Sequence, residues 1–167
     1  MDVTLQGSAT LDTTSAADGT YSVANVPSGN WTVAPHKNGD RGTALSALDA
    51  AYVLQAVAGL RQLDPEQMIA ADVTGDGTVS ALDASRILQY VVGLRAQLPA
   101  AQLCASDWLF VPAPAALPAA MPIPPALGGS TCQPGAIGLD SLAGDASSED
   151  FHAVLIGDVT GNWQPSP

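Results

Sequence analysis

The stretch SALDAAYVLQAVAGLR (Ser46–Arg61) returns 34 residues later as SALDASRILQYVVGLR (Ser80–Arg95), with most positions identical. Such a duplication commits the chain to two copies of one short unit, and a unit of this size must bury its apolar face against its neighbour. Within each copy the apolar residues recur at helical intervals: Leu48, Val53, Leu54, Val57 and Leu60, then Leu82, Ile87, Leu88, Val91, Val92 and Leu94. Gly59 and Gly93 predict the C-terminal stop of each helix. Between the copies, DPEQMIAAD places Asp64 as an N-cap and Pro65 at the first helical position, which predicts a short linking helix. Helix-pair tetratricopeptide repeats share the period, but this chain has one long helix per copy, only two copies and none of their Trp/Gly/Tyr spacing.

The second helix is preceded by DVTGDGTVSALD, residues 72–83. Asp72, Thr74, Asp76, Ser80 and Asp83 occupy loop positions 1, 3, 5, 9 and 12 around Gly77, with the carbonyl of Thr78 at position 7. Alternate residues of such a loop turn their oxygens inward onto one hard cation, while the glycine permits the sharp turn. Two positions depart from the EF-hand pattern: Thr74 replaces Asp or Asn, and Asp83 replaces Glu. The competing reading is an acidic glycine turn that caps a helix. The first copy, NGDRGTALSALD, offers Asn38, Asp40, the Ala44 carbonyl, Ser46 and Asp49. It has Gly42 at position 5 and Thr43 at position 6, so its shell is incomplete without outside ligands.

Loop, helix and duplication together resemble the type I dockerin, over residues 38–98. The resemblance implies two antiparallel loop-helices that cover each other's apolar faces, Ca2+-dependent folding, and docking onto a cohesin-like partner. Dockerin recognition is usually carried by loop positions 10 and 11, here Ala47-Leu48 and Ala81-Leu82, and their identity in both copies would permit a two-fold-symmetric binding face. Core packing of Leu48 and Leu82 is the alternative.

The flanks read as β structure. DGTYSVANVPSGNWTVAP (Asp18–Pro35) alternates Tyr21 and Val23, then Trp31 and Val33, with polar residues, predicting two strands around a PSG turn. With Val3–Leu5 and Ser8–Leu11, this segment resembles the prealbumin-like repeat of bacterial surface proteins. About 36 residues are too few for a complete sandwich. The missing strands are expected from Asp107–Val111 and Phe151–Gly157, or from a neighbouring chain. The expected organisation is α+β: sandwich-like antiparallel strands from both termini (1–36 and 151–167), a dockerin-like insertion at 37–98, and a Pro/Ala-rich wrapping segment at 99–150 with a strand at 107–111. The closing GDVTGNW repeats the opening of the central loop, placing Asp158, Thr160 and Asn162 at positions 1, 3 and 5. It is either a plain turn or a half-site that completes the deficient first loop or binds a cation with another chain.

Charge excludes several functions. Sixteen acids, fourteen of them Asp, face five bases for a net charge of −11, and residues 96–167 contain no Lys or Arg. A chain without a basic patch is not expected to bind nucleic acid or an anionic membrane. The apolar run Phe110–Gly129 contains six prolines, which rule out a membrane-spanning helix and predict extended chain laid over a surface. The polar start after Met1 does not read as a signal peptide, and Met1 reads as a start placed on a mature fragment or a cut-down chain. Cys104 and Cys132 are expected to pair, on the extracellular setting that calcium and scarce Lys suggest; two free thiols are the alternative. Asn30-Trp31-Thr32 forms a glycosylation sequon expected to be fortuitous.

Nothing predicts an enzyme. His36 and His152 fall at a strand end and within a strand, DASSED (Asp145–Asp150) reads as a solvated loop, and no nucleophile, zinc or phosphate motif is present. The sequence therefore predicts a non-catalytic extracellular or cell-surface calcium-binding module. Its partner is a cohesin-like protein or copies of itself, and the alternative is a structural subunit in which calcium is a folding staple.

Overall fold

A computed structural model describes residues 1–114, 120–129 and 131–165. The chain opens with β1 (Asp2–Gln6), β2 (Thr10–Thr14) and β3 (Gly29–His36), followed by α1 (Ala47–Val57), α2 (Pro65–Ala71), α3 (Ala81–Val91) and α4 (Pro99–Cys104). It closes with β4 (Trp108–Pro112), β5 (Ala120–Ile123), β6 (Ala126–Gly128), β7 (Thr131–Gln133), β8 (Ala136–Leu142) and β9 (Phe151–Leu155). The architecture is α+β, with antiparallel strands from both ends of the sequence around a central helical insertion.

The main sheet has the order β2-β1-β3-β8-β5 and is antiparallel throughout. Val33 of β3 sits between Leu5 of β1 and Ile137 of β8, so one face gathers Val3, Leu5, Trp31, Val33, Ile137 and Leu139 into a core. β5 borders β8 and carries Pro122, a residue tolerated at an edge because it cannot donate to a further strand. The strands that complete the N-terminal segment thus come from 120–123 and 136–142, which sequence reading had not marked. The predicted strands at 107–111 and 151–157 do form, but they pair with each other, Trp108 opposite Leu155 and Phe110 opposite Ala153. Tyr21 and Val23 pack on the sheet without forming a strand. Both edges of β3 are already occupied, by β1 and β8, so no ladder position beside it remains for them.

The β4–β9 ribbon joins the two halves of the molecule. Trp108, Leu109 and Phe110 are all buried because the ribbon is covered on both faces. Leu109 belongs to the helical core with Ala50, Val53, Ala84 and Ile87, whereas Trp108 and Phe110 pack with Ala44 and Leu155. Cys104 at the end of α4 and Cys132 in β7 form a disulfide, with Cα atoms 5.1 Å apart. Within the proline-rich run, residues 110–114 and 120–129 are strands and their connections, and residues 115–119 lie outside the described residues. The wrapping segment therefore holds more regular structure than its composition suggests: among the described residues a helix and five strands fall between residues 99 and 150. Among the described residues no helix is long and apolar enough to cross a membrane.

Candidate metal-binding loops and recognition face

Ser80 and Ser46 are the N-caps of α3 and α1, each accepting a bond from the backbone N–H two residues on. In both helices the Asp at the third helical position returns the bond, as the pattern Ser-x-x-Asp requires of a reciprocal cap. Asp83 Oδ2 accepts from Ser80 N at 2.8 Å and from Ser80 Oγ at 3.0 Å. Its other oxygen, Oδ1, accepts from Thr74 N and Thr74 Oγ1, both at 2.9 Å, and so closes the loop onto the helix. Asp72 begins the loop at the end of α2. Its Oδ1 accepts from Gly75 N at 2.9 Å and Asp76 N at 3.2 Å, and its Oδ2 from Gly77 N at 2.8 Å. Gly77 takes φ +88°, the left-handed turn that brings the chain back towards Thr78 and Ser80. Asp76 is exposed and binds the backbone and hydroxyl of Thr78.

These carboxylates are poorly compensated. Asp72 and Asp83 are buried, yet among the described residues their hydrogen-bond partners are neutral N–H and O–H groups and neither joins an ion pair. Burial pushes the Asp72 carboxyl above its ordinary range; bonds from Gly77 and Gly75 oppose this, and the charges of Asp83 and Asp76 reinforce it. Buried anions without a cation are costly. Among the described residues no three His, Cys, Asp or Glu side chains converge as a metal cluster, so a metal here must draw on hydroxyl and carbonyl oxygens as well. Asp72, Thr74, Asp76, Asp83 and the Thr78 carbonyl supply oxygen alone, a donor set that fits a hard cation such as Ca2+ and not zinc or copper. Ser80 holds the helix start.

The first loop is built differently. The Asn38 side chain donates to the Ala105 carbonyl at 3.2 Å, and Asp40 pairs with Lys37. Asp107, which sequence reading passed over as a functional residue, fixes this stretch: it accepts from Gly39 N at 2.6 Å and forms an ion pair with Arg41, while Trp108 Nε1 donates to the Gly39 carbonyl at 3.0 Å. Ser46 and Asp49 keep the geometry of Ser80 and Asp83 at the helix start, with Asp49 Oδ2 at 2.8 Å from Ser46 N and 3.0 Å from Ser46 Oγ. The remaining oxygen of Asp49 accepts from Thr160 N at 2.9 Å. Asp158, Thr160 and Asn162 therefore stand beside the first helix, where Asp158 accepts from Thr160 Oγ1, Asn162 N and Trp163 N at 3.1, 3.1 and 2.9 Å.

The helix pair buries less than its sequence predicts. Only Ala50 and Val53 of α1 and Ala84 and Ile87 of α3, with the two aspartates, are buried. α1 and α3 do pack on each other through Ala50, Val53, Ala84 and Ile87, but Leu54, Val57, Leu60, Leu88, Val91, Val92 and Leu94 remain exposed, so each helix covers only part of the other's apolar face. Ala47 and Ala81 are exposed beside Leu48 and Leu82, which are 52% and 47% accessible, so the two leucines are not core residues.

Compared with known families, residues 38–92 match the model of the dockerin type I domain. No curated protein matches the chain, and no solved structure matches it. The chain thus carries a type I dockerin domain over about a third of its length. Domains of this family bind Ca2+ through EF-hand-like loops and are non-catalytic modules that attach their chains to cohesin-type protein partners.

Proposed function

We propose that this chain is an extracellular, calcium-dependent attachment module without catalytic activity, and that a cohesin-type domain docks on the face formed by α1 and α3. The observation that carries this reading is the matched exposure of Ala47-Leu48 and Ala81-Leu82, at equivalent places of the two copies. Ten large apolar side chains stand open on the helical unit, apolar surface available to a partner. Calcium, held by Asp72, Thr74, Asp76, Asp83 and the Thr78 carbonyl, would neutralise the converging acids and fix the start of α3. The ion therefore conditions the shape of the docking face and does not touch the partner itself. The disulfide is in keeping with an oxidising compartment.

The test is light scattering behind size exclusion, with the full chain alone and mixed with a type I cohesin domain, in calcium and in chelator. A one-to-one complex that forms in calcium, disappears in chelator and is lost in Leu48→Asp/Leu82→Asp is the expected result. Calcium-dependent growth of the chain alone would instead make it a self-assembling subunit, and absence of any complex in calcium would remove the docking assignment.

A further inference from the structure

We infer that Asp158–Trp163 is the first half of a calcium loop whose second half is Ala44–Asp49, so that one cation site is assembled from distant segments of the chain. This inference rests on the calcium reading of the dockerin domain and extends it to residues outside the family match.

The central loop supplies the template, position by position. Asp158 does what Asp72 does: one oxygen accepts from the N–H four residues on, Asn162 N at 3.1 Å against Asp76 N at 3.2 Å. The other accepts from the N–H five residues on, Trp163 N at 2.9 Å against Gly77 N at 2.8 Å. Thr160 does what Thr74 does, donating its N–H at 2.9 Å to the carboxylate that closes the loop, Asp49 in one case and Asp83 in the other. Val159 and Val73 are both fully buried in the helical core, and Gly161 and Gly75 share a left-handed φ of +67° and +75°.

The likeness ends at position 6, for a reason the connectivity explains. In the central loop Gly77 must swing the chain back to its own helix. In the divided loop the chain arriving at Trp163 has no such turn to make, because Ala44 already stands in the next position on another segment. A bulky residue is therefore tolerated there, and Trp163 packs with Ala44 while its indole N–H binds the Asp40 carbonyl. Chain geometry delivers Asp158 to this place: β9 pairs with β4, and Gly157 at its exit bonds the Ala70 carbonyl of α2 at 2.8 Å.

The charge pattern demands the same solution as in the central loop. Asp49 and Asp158 are buried, and among the described residues neither joins an ion pair. Asp158, Thr160, Asn162, Asp49 and the Ala44 carbonyl present oxygen alone to a cation. The ion would tie the C-terminal segment to the start of α1, one of the two helix starts at the docking face.

The test is calcium content per chain, by atomic emission after desalting, with circular dichroism to confirm folding. The wild-type chain is expected to carry one ion for each loop. Asp158→Ala should lose one equivalent, Asp72→Ala the other, and Asn38→Ala/Asp40→Ala none. Asp158→Asn, which keeps the acceptor and removes the charge, covers the case in which Asp158→Ala does not fold, and should lose the same equivalent. If the content of both Asp158 variants equals that of wild type, the divided site is overturned while the central loop stands. Loss on Asn38→Ala/Asp40→Ala would overturn it in favour of a contiguous first loop. A wild-type chain that holds no calcium would overturn the calcium reading itself.

Discussion

Thr160 donates its backbone N–H to Asp49 at 2.9 Å across 111 residues of sequence, and Thr74 makes the same bond to Asp83 at the same distance across nine. The first helix thus takes its closing contact from the far end of the chain, whereas the second takes it from its own loop. The two helix starts are closed by equivalent bonds that differ in sequence order.

The first prediction concerns the aspartate that closes each loop. Asp83→Ala removes a reciprocal cap, which alone costs about 1 kcal/mol. In chelator part of this loss is offset, because a buried anion near Asp72 and Asp76 disappears with it. In calcium there is no such relief, since a ligand is lost. Thermal unfolding should therefore show a larger fall in Tm with calcium present than in chelator. Equal falls under the two conditions would mean that Asp83 is a cap and no ligand.

Gly157 offers a second test, of the joint between β9 and the helices. It holds φ +96°, and a Cβ there would stand 2.8 Å from both Leu45 Cδ2 and Leu98 Cδ1. The leucine tips can shift, but the backbone conformation disfavours any side chain. Gly157→Ala is expected to cost ~1–3 kcal/mol in urea unfolding. It should also weaken calcium binding at Asp158, one residue on, more than at Asp72. A neutral substitution would show that the exit from β9 can relax without moving the loop.

Tyr21 provides a pH-dependent readout of the sheet-side cluster. Its hydroxyl donates to the Glu149 carbonyl, and burial, with the charges of Glu149 and Asp150, pushes its pKa up to about 12 from the ordinary 10.0. The folded state favours the neutral phenol, so the stabilisation is fully present below the ordinary value and is lost as pH rises from there through about 12. The difference between wild type and Tyr21→Phe in an ultraviolet titration isolates this group. A phenolate appearing at the ordinary value would place Tyr21 in solvent.

Much of the helical unit was legible because its sequence says the same thing twice. The cap at Asp64 and the stops at Gly59 and Gly93 follow local rules, and local rules can be read locally; the Ser-x-x-Asp caps at Ser46 and Ser80 obey the same rules but lie beneath the reading of both serines as loop oxygens. α4 escaped notice, although Pro65 and Pro99 stand 34 residues apart like every other element of the repeat. Its N-cap position is Leu98, which makes no side-chain cap, so the usual start signal is missing. β8 was hidden by Gly138 and the glycine- and serine-rich chain after it; its strand character comes from pairing on both sides with β3 and β5. The same limit explains the pairing of β4 with β9 in place of the N-terminal strands, since pairing partners are a tertiary choice. The copied DVTG at 158 was visible, but its docking on Asp49 depends on where β9 leaves the ribbon, which no spacing encodes.

The disulfide makes the last prediction, because it isolates the link between α4 and the β6–β7 hairpin. Cys104 and Cys132 close a loop of 28 residues, for which the chain-entropy account gives roughly 3–4 kcal/mol. α4 in turn supports the central loop, where Ala100 N donates to the Val73 carbonyl at 2.9 Å. Cys104→Ala/Cys132→Ala should therefore lower stability by about that amount and reduce calcium affinity at the central loop. Chelator and reductant should then act non-additively: reduction costs the calcium-loaded chain more than the calcium-free chain, because without the bridge the ion is held more weakly and part of its stabilisation is lost as well. Urea unfolding in the four combinations of calcium and reductant measures this coupling directly. Strictly additive losses would show that α4 stays in place without the bridge and that the hairpin alone depends on it.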